Sequence, residues 1–523
     1  MMKNKIWMAC LLLGSVLTVR AQGAREALLF GQNNYVGTAR SVAMGNAFTA
    51  LGGDIGSIGI NPAGAAVNSW SQMTITPSLS IYGGSTSYDG DPRYSKNRTR
   101  MYLPNVGAIL NFKTYRTSGL KNISFGFVMN STGLYNTDFA ASGRTNRSSF
   151  TGYLADAATR KNLSPSQLEG YSDLWPASAA YCAGLIYPAT TVAGAPYISP
   201  VQSKDPSGVY PMRGAIDQQY GLARSGSKHD MVFNLGFNIS NRVFFGANLG
   251  LVSLEMREDE YMRETAVNTA DFPVSLEDDG KTIDGEYAGM KISSTYKAEG
   301  SGVYGKFGLI VVPVDGLRVG AAVQTPTASR ISELRYYDAT ARYKGASEDW
   351  DAASPDYTYD YALSMPWRYN FGLALTLGDR GLVSADYELT DFSNMRYSER
   401  HSNDEGTFQE SNDEIQECLG MTHYLRLGAE YKPLSTVALR AGYNLSTNPA
   451  FKADGAQAYW HAASLGLGYS SSGSFFCDFA LRCKINPTEW HYPYPTYISG
   501  QDSPEISLRS RLWDAVLTLG FRF

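Results

Sequence analysis

From residue 230 onward, apolar and polar positions alternate with a period of two. Met231, Phe233, Leu235, Phe237 and Ile239 fall on one face, and Asn234, Gly236 and Asn238 on the other. The same alternation returns over 243–251, 317–323, 371–377, 383–389, 425–431 and 437–443. Opposite the apolar face stand Arg318, Asp386, Glu388, Arg426, Glu430 and Arg440. The pattern predicts antiparallel strands with one apolar and one polar face. The last stretch sets Trp513, Ala515, Leu517, Leu519, Phe521 and Phe523 against Asp514, Thr518 and Arg522. A strand this apolar on one side and polar on the other suits lipid outside and a polar lumen inside.

The predicted strands are 71–83, 103–113, 121–131, 228–240, 242–256, 300–313, 316–328, 361–378, 381–392, 421–432, 435–446, 459–471, 473–484 and 510–523. Their number, fourteen, is even, as a barrel with both ends on one side requires. Short connections (114–120, Asn241, 314–315, 379–380, 433–434 and Ser472) alternate with long ones (132–227, 257–299, 329–360, 393–420 and 485–509). Short periplasmic turns and long extracellular loops give that asymmetry. Segment 132–227 is too long for a plain loop and is expected to hold short helices or a lid. The expectation is an all-β fold: a 14-stranded antiparallel transmembrane β-barrel over 71–523 in a bacterial outer membrane. The C-terminal strand, with Trp513, Phe521 and Phe523, is expected to carry the assembly signal for barrel-assembly machinery.

Composition agrees. Of 523 residues, 35 are Tyr, 52 are Gly and only 18% are charged. Lys3 and Lys5 precede an apolar run from 6 to 19, and Ala21 follows, which reads as a signal peptide over 1–21. No later stretch is apolar for the length of a membrane helix. The net charge of −4 and the lack of a basic run argue against nucleic acid. Outside the leader stand Cys182, Cys418, Cys477 and Cys483, too few for a disulfide scaffold, with a Cys182–Cys418 bridge left open. Cys477 and Cys483 share the lipid face by parity. His229, His401, His423, His461 and His491 show no metal-ligand spacing, so neither metal nor cofactor is expected. His461 and Ser464 share a strand region without a third partner or a GxSxG motif, so no enzyme is expected.

Segment 37–66, GTARSVAMGNAFTALGGDIGSIGINPAGAA, breaks the alternation. Its density of Gly, Ala and Ser permits close backbone packing. Gly52, Gly53 and Asp54 read as a turn, and Pro62 pushes Asn61 out of the helical region. A compact turning segment ahead of a barrel suggests a plug, or hatch, over 22–70. With its Asn61-Pro62-Ala63 motif, it resembles the N-terminal hatch of the FadL/TodX family of outer-membrane transporters of hydrophobic compounds. Residues 425–444, LRLGAEYKPLSTVALRAGYN, resemble a late hairpin of that family. The resemblance implies passive uptake of long-chain fatty acids or other hydrophobic molecules, with hatch movement and lateral exit into the membrane beside a kinked strand. It places gating at Gly52, Gly53, Asp54, Asn61, Pro62 and Ala63. Strand order then puts the kink in 121–131, with Gly126 and Asn130 as its irregular positions.

Two readings of the lumen charges stay open. Arg318, Arg368, Arg426 and Arg440 belong to a structural ion-pair network, or one of them holds a ligand carboxylate. A second function also stays open: a barrel-type docking component of a type IX-like protein secretion system.

Overall fold

The computed structural model describes residues 23–68, 70–90, 94–170, 174–190, 194–203, 210–278, 281–399, 408–450, 458–471, 474–495 and 502–523. The expected signal peptide and His401 lie outside them. The fourteen strands are β1 (Gln72–Tyr88), β2 (Tyr94–Lys113), β3 (Leu120–Thr145), β4 (Ile216–Ile239), β5 (Val243–Ala266), β6 (Lys281–Val314), β7 (Leu317–Gln324 with Ala328–Lys344), β8 (Tyr357–Ser364 with Arg368–Leu377), β9 (Gly381–Asp391 with Arg396–Glu399), β10 (Met421–Leu434), β11 (Val437–Thr447), β12 (Tyr459–Ser470), β13 (Phe475–Ile485) and β14 (Ile506–Arg522). Each pairs antiparallel with the next, and β14 pairs with β1 from Gln72–Arg522 to Tyr88–Ile506, closing the barrel. β7 and β8 break side by side at Pro326 and Pro366, where the ladder loses a donor.

Outward positions form an apolar belt, from Trp513 through Leu517 and Leu519 to Phe521 on β14 and from Met73 to Ile81 on β1. Trp513 and Phe521 stand near its two edges, as interfacial aromatics do. This is an outer-membrane-type barrel. Among the described residues no helix is long and apolar enough to cross a membrane.

The periplasmic strand ends fall where the alternation stops. The extracellular ends run further than expected. β3 extends to Thr145, β4 begins at Ile216, β5 reaches Ala266 and β7 reaches Lys344, so much of the expected loops 132–227, 257–299 and 329–360 is strand. The reason is physical. Above the membrane neither face needs to be apolar, so the alternation fades while the ladder continues.

The remaining loop chain folds over the extracellular mouth. Among the described residues between β3 and β4 lie three helices, α3 (Phe150–Arg160), α4 (Pro165–Leu168) and α5 (Trp175–Cys182). They share a core with the strand extensions, including Tyr88, Phe139, Tyr220 and Met262, and with Tyr494 of the connection before β14. Glu264 of β5 fixes α3 at its start, accepting from Phe150 N at 2.6 Å and from the Ser149 hydroxyl at 2.8 Å. A second core surrounds α1 (Ala24–Gly31), packing it against Met256, Tyr296, Tyr361 and Tyr397 and against α6 (Gln409–Cys418). No disulfide joins Cys182 and Cys418.

Candidate functional site

The site is built from segment 24–68 and the wall it touches. After α1 come α2 (Ala39–Ala43), a 3₁₀ turn at Gly56–Gly59 and another at Pro62–Val67. Such short pieces cannot satisfy their own backbone, and inward polar side chains of the wall complete them. The Thr518 hydroxyl accepts from Ala39 N at 2.7 Å. The Ser384 hydroxyl donates to Ala47 O at 2.6 Å, and Asn444 donates to Gly45 O at 2.6 Å. Asp386 accepts from Thr49 N at 2.7 Å. The hatch is a fitted part of the barrel interior.

Asn61 is the most connected of the expected hatch residues. Its Oδ1 accepts from Ala63 N at 3.0 Å and caps the turn begun by Pro62. Its Nδ2 donates to Thr49 O at 2.6 Å, Leu309 O at 3.2 Å and Ala321 O at 3.4 Å, so one amide ties the hatch to itself, to β6 and to β7. Gly52 and Gly53 have φ of +60° and +74°, and a Cβ on Gly52 would stand 2.7 Å from Val67 Cγ2. Asp54 Oδ1 accepts from the Thr38 hydroxyl at 2.7 Å and from Gly56 N at 2.9 Å. These contacts shape the hatch. Opposite Asn61-Pro62, the wall has no side chain. A Cβ on Gly308 would lie 1.9 Å from Asn61 Oδ1, and one on Gly246 2.3 Å from the Pro62 carbonyl carbon.

Each of the four arginines finds a place facing the lumen. Arg318 donates to Leu51 O at 2.6 Å. Arg368 pairs with Glu388 at 3.2 Å and donates to Gly31 O at 2.5 Å. Arg426 pairs with Glu388 at 3.1 Å, and Arg440 bridges Glu430 at 2.6 Å and Asp478 at 2.5 Å. Arg40 of α2 joins this set, pairing with Glu430 at 3.1 Å. The charges are thus engaged with one another and with the hatch. Lys228 joins Arg368 at the end of α1, donating to Phe30 O at 2.8 Å, Gln32 O at 2.7 Å and Asn33 Oδ1 at 2.8 Å. These cations meet the carbonyl-rich, negative end of the helix.

The wall is incomplete between β2 and β3 among the described residues. The β2–β3 ladder runs from Lys113–Asn122 to Asn105–Asn130 and ends there among the described residues, while β3 continues on β4 alone. At this level Pro77 and Pro104 interrupt the β1–β2 register. The Asn105 amide donates to Asn130 Oδ1 at 2.7 Å across the last rung. Above it the seam is spanned by side chains. Lys96 pairs with Asp138 at 2.6 Å, Arg98 donates to Arg224 O at 3.0 Å, and Arg100 donates to Gly226 O at 2.7 Å. The hatch is bonded to β3 at this spot, through Asn34 N to Thr132 O at 2.7 Å and Val36 N to Ser131 O at 3.3 Å. Outside the seam, Met101 is 75% exposed within the apolar belt.

No family model and no curated protein matches this chain. Solved structures do. A TodX monoaromatic hydrocarbon channel, in a deltaS2 mutant, superposes with a TM-score of 0.52 at 11% identity, over 93% of this chain and 98% of that one. A Pseudomonas aeruginosa FadL homologue gives 0.49 at 12% identity, covering 94% and 99%. The Pseudomonas putida toluene transporter TodX gives 0.49 at 11% identity, with the same coverage. The fold is that of the FadL/TodX channels. The resemblance read from 37–66 and 425–444 therefore holds at the level of architecture.

The expected kink needs a correction. Gly126 lies in a regular ladder, opposite Ile109 on one side and Asn234 on the other. It faces the hatch, where a Cβ would stand 3.5 Å from Ile58 Cδ1, an ordinary contact. The register of β3 shifts at its start, between Leu120 and Asn122, and again between Ser131 and Gly133, one step past Asn130. The extra residue, Thr132, donates through its hydroxyl to Asp230 at 2.8 Å. His461 and Ser464 face opposite ways. Ser464 is buried and donates to Ala43 O at 3.2 Å, whereas His461 is exposed beside Tyr443. Lys228 and the wall glycines were not singled out from the sequence. Inward glycines paired across neighbouring strands, Gly236 with Gly246, Gly246 with Gly308, Gly320 with Gly372 and Gly428 with Gly442, were the available signal.

Proposed function

We propose that this protein lets hydrophobic small molecules, long-chain fatty acids among them, cross the outer membrane without an energy source. The observation that carries the reading is the main-chain tie between the hatch and β3 beside the end of the β2–β3 ladder. A hatch that shifts must release Asn34 and Val36 from Thr132 and Ser131, and this frees the strand bordering the seam. Apolar cargo leaving the lumen there meets lipid without crossing water. Burial stabilises such cargo by about 25 cal/mol per Å², so an acyl chain or an aromatic ring needs few polar contacts. The TodX channel that superposes above, described as a monoaromatic hydrocarbon channel, supports hydrophobic cargo. Near Phe150, Tyr220 and Met262 lies a cavity of about 10 Å³, room for a water rather than an acyl chain. The extracellular cap therefore has to yield for cargo to pass this point.

The test is a reversible lock. Val36 and Ser131 face each other in an antiparallel bridge, a geometry within disulfide reach. Val36→Cys with Ser131→Cys is expected to stop uptake of labelled fatty acid or toluene by whole cells when oxidised and to restore it on reduction. Asn61→Ala with Pro62→Ala is expected to change uptake without unfolding the barrel. Uptake that matches cells lacking the protein, with a secreted protein co-purifying in stoichiometric amount, would replace this reading with the docking role.

A further inference from the structure

We infer that the outward rim of β14 binds a phosphorylated glycolipid of the outer leaflet. Along β14, Arg509, Arg511 and Trp513 point outward in succession, and the apolar belt begins at Trp513. Arg509 and Arg511 are both exposed, and neither forms an ion pair or a side-chain hydrogen bond among the described residues. Positions two apart on a strand share a face roughly 7 Å apart, so the two guanidinium forks stand side by side just above the hydrocarbon edge. Trp490, exposed and paired in register with Ser507, stands above them, and Trp513 stands below.

The two flanks differ. On one side Ile485 and His461 continue the row of Arg511. On the other side the outward positions of β1 are Gly83 and Ser85, which face Asn97 and Ser95 of β2. Gly83 and Ser85 leave a shallow polar shelf beside the arginines, edged by Asn97, whose Oδ1 lies 3.1 Å from where a Gly83 Cβ would stand. Across the barrel the outward positions of β5 and β6 mix charges, Glu255 and Glu299 with Arg257 and Lys297, and Arg257 pairs with Asp259 at 2.8 Å, so the row of two arginines without an ion pair among the described residues distinguishes β14 from those strands.

Each part of the surface matches one part of a phosphorylated glycolipid. Guanidinium groups bind phosphate through paired N–H donors and are weakly hydrated. The shelf over Gly83 and Ser85 takes a sugar ring that bulky side chains would exclude. Below, Ile81 and Trp513 offer the belt to acyl chains, so the headgroup and tails are engaged together. A free anion would use the arginines alone, and an uncharged lipid the belt alone.

The experiment uses the purified full-length barrel in detergent, with labelled bisphosphorylated lipid A as the probe. The wild type is expected to retain it. Arg509→Gln with Arg511→Gln is expected to weaken retention by roughly tenfold or more, the loss of two cationic contacts at a lipid surface. Resistance to dodecyl sulfate before heating shows that this variant is folded, and Arg330→Gln on β7 is the control that leaves retention unchanged. A second arm needs no variant: lipid A stripped of its phosphates is expected to dissociate from the wild type. Equal retention by the double variant, equal retention of the stripped lipid, or full displacement by millimolar inorganic phosphate would each overturn the proposal.

Discussion

At the scale of residues, space matters as much as charge. Asn61 reaches β6 and β7 only because Gly308 presents no side chain to it. Gly308→Val is expected to unseat the Asn61-Pro62 end of the hatch, at a cost of about 1–3 kcal/mol for overpacking. Gly305→Ala is the matched control, since its Cβ would meet nothing nearer than 3.7 Å. Protease cleavage within 37–66 reads the difference: faster for Gly308→Val, unchanged for Gly305→Ala. Charge plays the complementary part. Lys228, Arg318 and Arg368 donate to hatch carbonyls, supplying donors that the short helices cannot provide themselves. The parity of Arg318, Arg368, Arg426 and Arg440 was legible from the alternation. Their partners were not, because residues of the same parity on different strands share only a face.

At the scale of elements, α1 depends on its neighbours. At eight residues it is too short to persist alone. It is held by α6, by the aromatic side chains around it and by the cations at its end. Burial, and next the charge of Glu26, push the Glu414 carboxyl of α6 up to about 7. In the unfolded chain a glutamate titrates near its ordinary value, well below this. A raised acid favours the folded contact most when protonated. Its contribution is fully present below the unfolded value and is lost as pH rises through about 7. Amide exchange of 24–31 is therefore expected to quicken from pH 6 to pH 8 beyond the intrinsic rate. Glu414→Gln should remove that excess, and an unchanged pH dependence in the variant would show that another group governs it. The strands behave differently. Their membrane portions were readable because lipid imposes an apolar outer face, and the extensions to Thr145, Ala266 and Lys344 were hidden because water and protein impose none.

At the scale of the whole molecule, the β2–β3 ladder stops early among the described residues, and side chains cross the opening, Lys96 to Asp138 of β3 and Arg98 and Arg100 to main-chain carbonyls of β4. Side-chain bridges of this exposure are worth less than a backbone ladder, about 1 kcal/mol or below for each ion pair. The seam is thus a weak line in the wall, and it borders the point where the hatch is bonded. Lys96→Ala with Arg100→Ala is expected to speed passage of a hydrophobic dye into proteoliposomes without changing barrel content by circular dichroism. Slower or unaltered passage would mean that cargo leaves by another route.

The sequence by itself determined the strand count, the face each residue takes, the alternation of short turns and long loops, and the presence of a small-residue segment suited to plugging a lumen. These follow from local rules: the two-residue period of a strand, the demand of lipid for an apolar surface, and the restrictions at Pro and Gly. Only the tertiary structure decided where the wall is incomplete. Gly126 looked like a kink and lies in a regular ladder, while the shift at Thr132 has no distinctive composition. A register shift arises from the balance of pairings with both neighbouring strands and with the hatch, and residues far apart in the chain set that balance.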